Sequence, residues 1–299
     1  MKPHRSAYDS IPKGLAYLLP GLAVYALFVL VPVARTLAFS FFEWDGLSPR
    51  TFVGAANYAE LLRDGRFYGS LSHNLALVLY LLALPGAIGL FLAAIVSMKD
   101  LRGGKFFEIL FFAPQILSLV VVSVIWKWIY NPGTGLIVSL LGSVGLEALA
   151  RPWLGESRYA LGAIGLTGTW VNFGFAFVVF LSGFKRIPDS LYESADIDGA
   201  GDFRKFVSIG LPLLRKEFGL VATFLFISSL KVFDLVYVMT RGGPGNSTEV
   251  LSLYVFKNAF QFNRIGYASA LAVALALIIF ALSNALSLLA RKGEDYEIA

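Results

Sequence analysis

Six apolar runs dominate the sequence, at residues 14–40, 73–98, 106–130, 159–184, 213–240 and 265–290. Each exceeds the roughly 20 residues that a helix needs to cross the hydrocarbon core of a bilayer. A backbone in lipid must satisfy its own N–H and C=O groups, so such runs become helices. The expectation is an all-α membrane protein of six transmembrane helices, with residues 1–299 forming a single transmembrane domain. Composition agrees. The chain is 57% hydrophobic and 15% charged, with mean hydropathy +0.70, which is too little charge for a soluble protein of this length. The first run is longer than the apolar core of a signal peptide, so it reads as an uncleaved span. Pro85 and Gly86 predict a kink in the second span. Trp44, Phe52 and Tyr58 suit an interfacial belt.

Six spans place both termini on one side, and Lys and Arg decide which. With the termini inside, the inner segments hold fourteen (Lys2, Arg5, Lys13, Lys99, Arg102, Lys105, Lys185, Arg186, Arg204, Lys205, Arg215, Lys216, Arg291, Lys292) and the outer loops eight (Arg50, Arg63, Arg66, Arg151, Arg158, Arg241, Lys257, Arg264). Cytoplasmic loops carry the excess, so both termini and residues 185–212 are expected in the cytoplasm. The same rule accounts for the net charge of +5 and pI near 9.3 without a nucleic-acid partner.

Several chemistries are discouraged. The chain has no cysteine, hence no thiol or disulfide chemistry, and its two histidines, His4 and His73, are too few for a histidine-rich metal site. Gly103 to Lys105 is followed by Phe106 and lacks the upstream glycine of a phosphate loop, so no ATP site is expected in this chain. No metalloprotease, nucleophile-elbow or clustered-carboxylate pattern occurs, and no catalytic residue is assigned. Arg35, Lys127, Lys231 and Asp234 are among the ionisable residues inside the runs. Arg35 and Lys127 lie near span ends and can snorkel. Lys231 and Asp234, three apart, are expected to pair on one helix face. Asn74, Trp170, Asn172, Asn258 and Asn284 either bond between helices or face a solute. For any one of them helix–helix bonding is the weightier reading. Glycines between 162 and 174 favour close helix packing.

Between the fourth and fifth runs lies a polar island, residues 191–212, LYESADIDGAGDFRKFVSIGLP. Ser190 and Glu193 have the spacing of a capping box. Leu191, Tyr192, Ala195 and Ile197 are expected to line one side of a short helix that Gly199 stops. Asp202 starts a second turn carrying Arg204 and Lys205, with Phe206 and Ile209 on its apolar side. Pro212 suits the first turn of the next span.

These residues resemble the EAA loop of the inner-membrane permeases of binding-protein-dependent ABC importers. The family pattern E-A-A-x-x-D-G-A, with I-x-L-P downstream, is matched by Glu193, Ser194, Ala195, Asp198, Gly199, Ala200, Ile209, Leu211 and Pro212, Ser194 replacing the first Ala. Residues 233–240 with Gly242, Gly243 and Pro244 are similar to the carbohydrate branch, the maltose and glycerol-phosphate type. So are Phe52-Val53-Gly54 with Asn57-Tyr58, Trp128 with Tyr130-Asn131-Pro132, and residues 266–270.

The resemblance implies a bacterial inner-membrane permease that moves a sugar, oligosaccharide, polyol or glycerol phosphate by alternating access. Glu193, Ser194, Ala195, Asp198, Gly199, Ala200, Leu211 and Pro212 would couple it to two separate ATPase subunits, which hold the ATP and magnesium. This chain would bind no cofactor or metal. Glu193 would cap the coupling helix. A second homologous permease, giving a heterodimer, and an extracytoplasmic solute-binding protein are implied partners. Gly242, Gly243 and Pro244 would touch the binding protein. Trp170, Asn172, Asp234 and Tyr237 are candidate residues of the solute pathway. A self-contained ion-coupled carrier and an intramembrane enzyme are the alternatives.

Overall fold

The computed structural model describes residues 11–98 and 104–291. Lys2, His4, Arg5, Lys99, Arg102, Gly103 and Lys292, which entered the charge count and the motif search, lie outside the described residues. The described chain is mostly helical: α1 (Ile11–Tyr25), α2 (Val31–Phe39), a hairpin of β1 (Phe42–Glu43) and β2 (Thr51–Phe52), α3 (Ala56–Leu61), α4 (Gly65–Val78), α5 (Leu84–Met98), α6 (Gly104–Ile116), α7 (Leu119–Ile129), α8 (Leu136–Ser143), α9 (Ser157–Phe184), α10 (Asp189–Ile197), α11 (Asp202–Lys205), α12 (Leu211–Leu213), α13 (Arg215–Leu230), α14 (Asp234–Met239), α15 (Leu251–Phe260) and α16 (Ile265–Arg291). Backbone contacts divide the chain into two units, residues 1–63 with 255–274, and residues 64–254 with 275–299.

Among the described residues four helices are long and apolar enough to cross a membrane: Tyr17–Phe39, Gly65–Ser97, Ser157–Phe184 and Ile265–Leu286. A fifth candidate is the pair Lys105–Ile116 and Leu119–Ile129, which bends by 95°. The run at 106–130 is therefore broken at Leu117 and Ser118, just beyond Pro114. The run at 213–240 is broken too. Helix α13 stops at Leu230, Phe233 takes φ −136° and ψ −58°, and α14 starts at Asp234.

Prolines within the long helices follow one rule at three places. Pro32, Pro85 and Pro212 each come two residues after a π-helical turn, Ala26–Leu30, Leu79–Ala83 and Phe206–Gly210. Val31, Leu84 and Leu211 donate their N–H groups five residues back, to Ala26, Leu79 and Phe206. A proline has no N–H and its ring strikes the carbonyl four residues earlier. Widening the preceding turn moves that carbonyl aside. Pro85 thus produces a π-turn inside one span, Gly65–Ser97, where a kink was expected.

In the first unit, Asn57 Nδ2 donates to the carbonyl oxygens of Ser40 and Phe42, both at 2.9 Å, fixing α3 beneath the hairpin. Phe42 pairs with Phe52 and Glu43 with Thr51, antiparallel. Arg264 clamps Glu60 at 2.6 Å. Trp44 is half-buried, while Phe52 is exposed and meets Phe42 edge-on.

In the second unit α9 is the central helix. Its Phe177, Phe180, Leu181 and Phe184 are buried against Ala93, Leu214, Val221 and Leu225. Gly174 lets α6 cross at backbone distance, since a Cβ there would fall 1.9 Å from the Phe111 carbonyl oxygen. The glycines of 162–174 serve packing, as expected. Asn131 Oδ1 accepts from Gly133 N at 2.8 Å and Thr134 N at 3.1 Å, closing the turn that leads to α8.

Candidate functional site

The polar island folds as a helical elbow. Helix α10 begins at Asp189, with Pro188 as N-cap and no side-chain cap bond. The expected capping box is absent because the helix starts two residues earlier and takes Ser190 inside it. Ser190 O instead accepts from Ser194 Oγ at 2.8 Å. Glu193 is exposed and does not cap. The stop at Gly199 is as expected. Its φ is +72°, Gly199 N donates to Asp196 O at 3.0 Å, and Ala200 N to Ala195 O at 2.9 Å. Those two bonds make a Schellman closure, whose left-handed residue favours glycine.

The second arm starts at Asp202 as expected. It continues through the π-turn to Leu213, so Pro212 ends this arm and the next helix opens at Arg215. Lys205 joins Asp196 and ties the arms together. Phe206, Ile209 and Tyr192 pack on the core of the second unit. Burial, then the Asp189 carboxylate, raises the pKa of the Tyr192 phenol. The predicted apolar side is only partly formed: Leu191 is 43% exposed and Ile197 88%. Phe203 on the second arm is 79% exposed. Ala195, Asp198 and Ala200 share a groove of about 480 Å³ with Arg204 and Lys205. Leu211 and Pro212 are half-buried. Covering Ile197 and Phe203 with a partner would stabilise a complex by about 1.5–3 kcal/mol for each side chain.

A second site lies where α13 breaks. A cavity of about 510 Å³ has Gln115, Asn172, Ser228, Lys231 and Asp234 among its polar walls and Phe224 and Phe233 among its apolar ones. Its size falls in the range of about 300–1,000 Å³ typical of small-molecule sites. Two of the four candidate pathway residues, Asn172 and Asp234, meet there. Trp170 instead packs edge-on against Trp126, and Tyr237 stacks on Phe233. Lys231 and Asp234 do not pair: the helix ends between them, and no ion pair joins them among the described residues. Asn172 Nδ2 donates to Gly168 O at 2.8 Å in its own helix.

Gln115 was not singled out by the sequence. Its signal was present, a polar side chain beside Pro114 in an apolar run. Its Oε1 is buried with no hydrogen-bond partner among the protein atoms.

The loop after α14 is tightly closed. Thr248 Oγ1 donates to Gly243 O at 2.8 Å and lies 2.7 Å from Thr240 Oγ1. Gly242 is buried and Gly243 and Pro244 half-buried, leaving Arg241, Gly245 and Asn246 as the exposed residues at the tip. Arg66 holds this loop, bonding Glu249 at 2.9 Å and Asn246 at 3.4 Å.

Residues 86–293 match the family model described as the binding-protein-dependent transport system inner membrane component. The chain belongs to that family. Relatives agree along nearly the whole permease. It is 37% identical over 270 residues to the probable ABC transporter permease protein YurN of Bacillus subtilis, spanning 89% of this chain and 92% of that one. It is 34% identical over 282 residues to the diacetylchitobiose uptake system permease protein NgcF of Streptomyces coelicolor, spanning 91% and 80%. The fold matches a chain in the crystal structure of a bacterial alginate ABC transporter in complex with an alginate pentasaccharide-bound periplasmic protein. The TM-score is 0.81 at 20% identity, covering 97% of the permease and 98% of that chain. Family membership places the permease in the inner membrane as a transport component and favours an importer subunit over a self-contained carrier or an enzyme.

Proposed function

We propose that the permease moves a carbohydrate across the bacterial inner membrane through the cavity at the α13 break, driven by separate ATPase subunits docked on residues 185–212. The observation that carries this reading is the helical elbow itself. It is held rigidly by Gly199 and the Lys205–Asp196 pair, yet presents Ile197 and Phe203 to solvent. Closure of two ATPase subunits would move α10 as a lever, and the second arm runs directly into α13, whose far end lines the cavity. The cavity's amides, hydroxyl and carboxylate suit the hydroxyl groups of a sugar, and its aromatic faces suit the sugar's C–H surface.

In this reading there are six crossings, the third bent and the fifth broken, with both termini and the elbow in the cytoplasm. A second homologous permease completes the pathway. An extracytoplasmic binding protein delivers the solute to the loop carrying Gly242, Gly243 and Pro244. ATP and magnesium sit on the ATPase. Reconstitution in vesicles with and without the ATPase subunits tests this. Uptake is expected only with both ATPase and ATP. Uptake by this chain alone under an ion gradient would overturn it.

A further inference from the structure

The two roots of the elbow are fastened to each other. Arg186, just beyond the end of α9, forms an ion pair with Glu217 in the first turn of α13. Thirty-one positions of chain separate the two residues, and α10, α11 and α12 all lie between them. The pair is asymmetric: the Arg186 side chain is 68% exposed and that of Glu217 7%. A carboxylate buried this far is costly to leave without a partner. The end of α9 is shaped to receive it. A Cβ on Gly183 would fall 2.8 Å from Glu217 Cγ and Cδ and 2.3 Å from Leu214 Cδ2. Leu214, the residue before α13, is fully buried. Next to Arg186, Lys185 pairs with Glu108 of α6 at 2.5 Å. Lys185 and Arg186, which entered the sequence reading only as a count of inner charge, thus tie the end of α9 to α6 and to α13.

We propose that Arg186 and Glu217 are positioning residues for energy coupling: their ion pair closes the base of the elbow, so that a push on α10 moves α9 and α13 together. An elbow open at its base could pivot about Pro188 and leave α13 where it was. With the base closed, both roots stand on one body, and α13 carries the movement to the cavity at its far end. A buried ion pair adds little stability over an apolar replacement, and what it supplies instead is one fixed arrangement. The consequence for coupling rests on the transporter reading above. The closure itself is a property of this chain alone.

The test has two arms. In the first, spin labels on Ser182→Cys and Ile197→Cys, both exposed positions, report the distance between α9 and α10 in the full, otherwise cysteine-free chain in nanodiscs. Glu217→Leu removes the pair without leaving a buried charge, so its melting temperature should stay within about 3 °C of wild type. Its spread of distances is expected to roughly double. Arg186→Met breaks the pair from the other side and strands the carboxylate. It should show the same doubling with a melting temperature lower by about 5 °C or more, and it serves if the Leu variant does not fold. In the second arm, Lys231→Cys in the cavity wall is labelled with a maleimide in the assembled transporter, with and without a non-hydrolysable ATP analogue. The analogue is expected to change the labelling rate roughly fivefold when the pair is intact and less than about twofold in Glu217→Leu. An unchanged distance spread in both variants would overturn the proposal. So would a loss of the nucleotide response confined to Arg186→Met, which would make Arg186 a direct contact of the ATPase, since Glu217 is too buried to be one. A wild-type transporter without any nucleotide response would strike the transporter reading, while the distance spread would still decide the closure.

Discussion

Asn74 and Leu230 are joined across the break in α13: Asn74 Nδ2 donates to the Leu230 carbonyl oxygen at 3.1 Å. The same amide reaches Ser229 O at 3.4 Å, and its Oδ1 accepts from Leu251 N, the first residue of α15, at 2.9 Å. Ser252 Oγ donates to a carbonyl just beyond the break, Val232 O, at 2.5 Å. A helix that stops inside an apolar bundle leaves carbonyls without partners. Here side chains from other elements supply them, and Asn74 is fully buried.

Asn74→Leu is therefore expected to destabilise the chain by about 1–3 kcal/mol, the usual cost of leaving buried backbone groups unpaired. Thermal unfolding of the detergent-purified protein reads this. An unchanged melting temperature would mean that water satisfies the break.

Gly199 has φ +72°, and no atom lies within 4 Å of where its Cβ would be. A substitution there meets conformational strain and no clash. Gly199→Val should cost more than the roughly 1–2 kcal/mol of an ordinary left-handed residue, while Gly199→Asn should be tolerated. The expected readout is ATPase activity that persists in the Val variant while solute uptake falls, with Asn near wild type. Equal uptake in all three would remove the elbow from the coupling path.

Asp45 tests the β1–β2 hairpin. Its Oδ1 accepts from Leu47 N at 2.9 Å and Ser48 N at 2.7 Å, and its Oδ2 from Ser48 Oγ at 2.8 Å. These bonds favour the carboxylate and lower its pKa from 3.8 to about 2. A depressed folded pKa adds stability that is complete above pH 3.8 and lost as pH falls through about 2. Carbon-13 NMR of labelled aspartate in nanodiscs should show Asp45 still ionised at pH 3. Titration at the ordinary carboxylate value would show that the turn is open.

Asp234 faces the cavity at the start of α14. If its carboxylate accepts a solute hydroxyl, Asp234→Asn should raise the KM of uptake about tenfold, equivalent to about 1.4 kcal/mol. ATP hydrolysis stimulated by the binding protein should persist. An unchanged KM would take Asp234 out of the solute path.

Much of this architecture is readable from residue pattern. Length and apolarity announce the spans, and Gly199 announces the end of α10, because both are local properties. The break in α13 is not local. Residues 213–240 hold no glycine or proline near Leu230 to mark the interruption, which is stabilised by Asn74 and Ser252, far away in sequence. The same limit explains Lys231 and Asp234, three residues apart yet separated by a helix end. It explains Gln115 as well, whose place in a cavity wall depends on the 95° bend after Ile116. Ser190 and Glu193 had the right spacing for a capping box, but Pro188 took the N-cap position first.

The central claim is that α10 enters an ATPase subunit, and the chain is suited to asking this because it contains no cysteine. Ile197, 88% exposed, is replaced by Cys, and its rate of labelling by a membrane-impermeant maleimide is measured before and after the ATPase subunits are added. Labelling is predicted to be fast in the chain alone and at least tenfold slower in the assembled transporter, while a Leu47→Cys control (93% exposed) in the β1–β2 hairpin labels equally in both. Undiminished labelling at position 197, in a complex that hydrolyses ATP and takes up solute, would contradict the account.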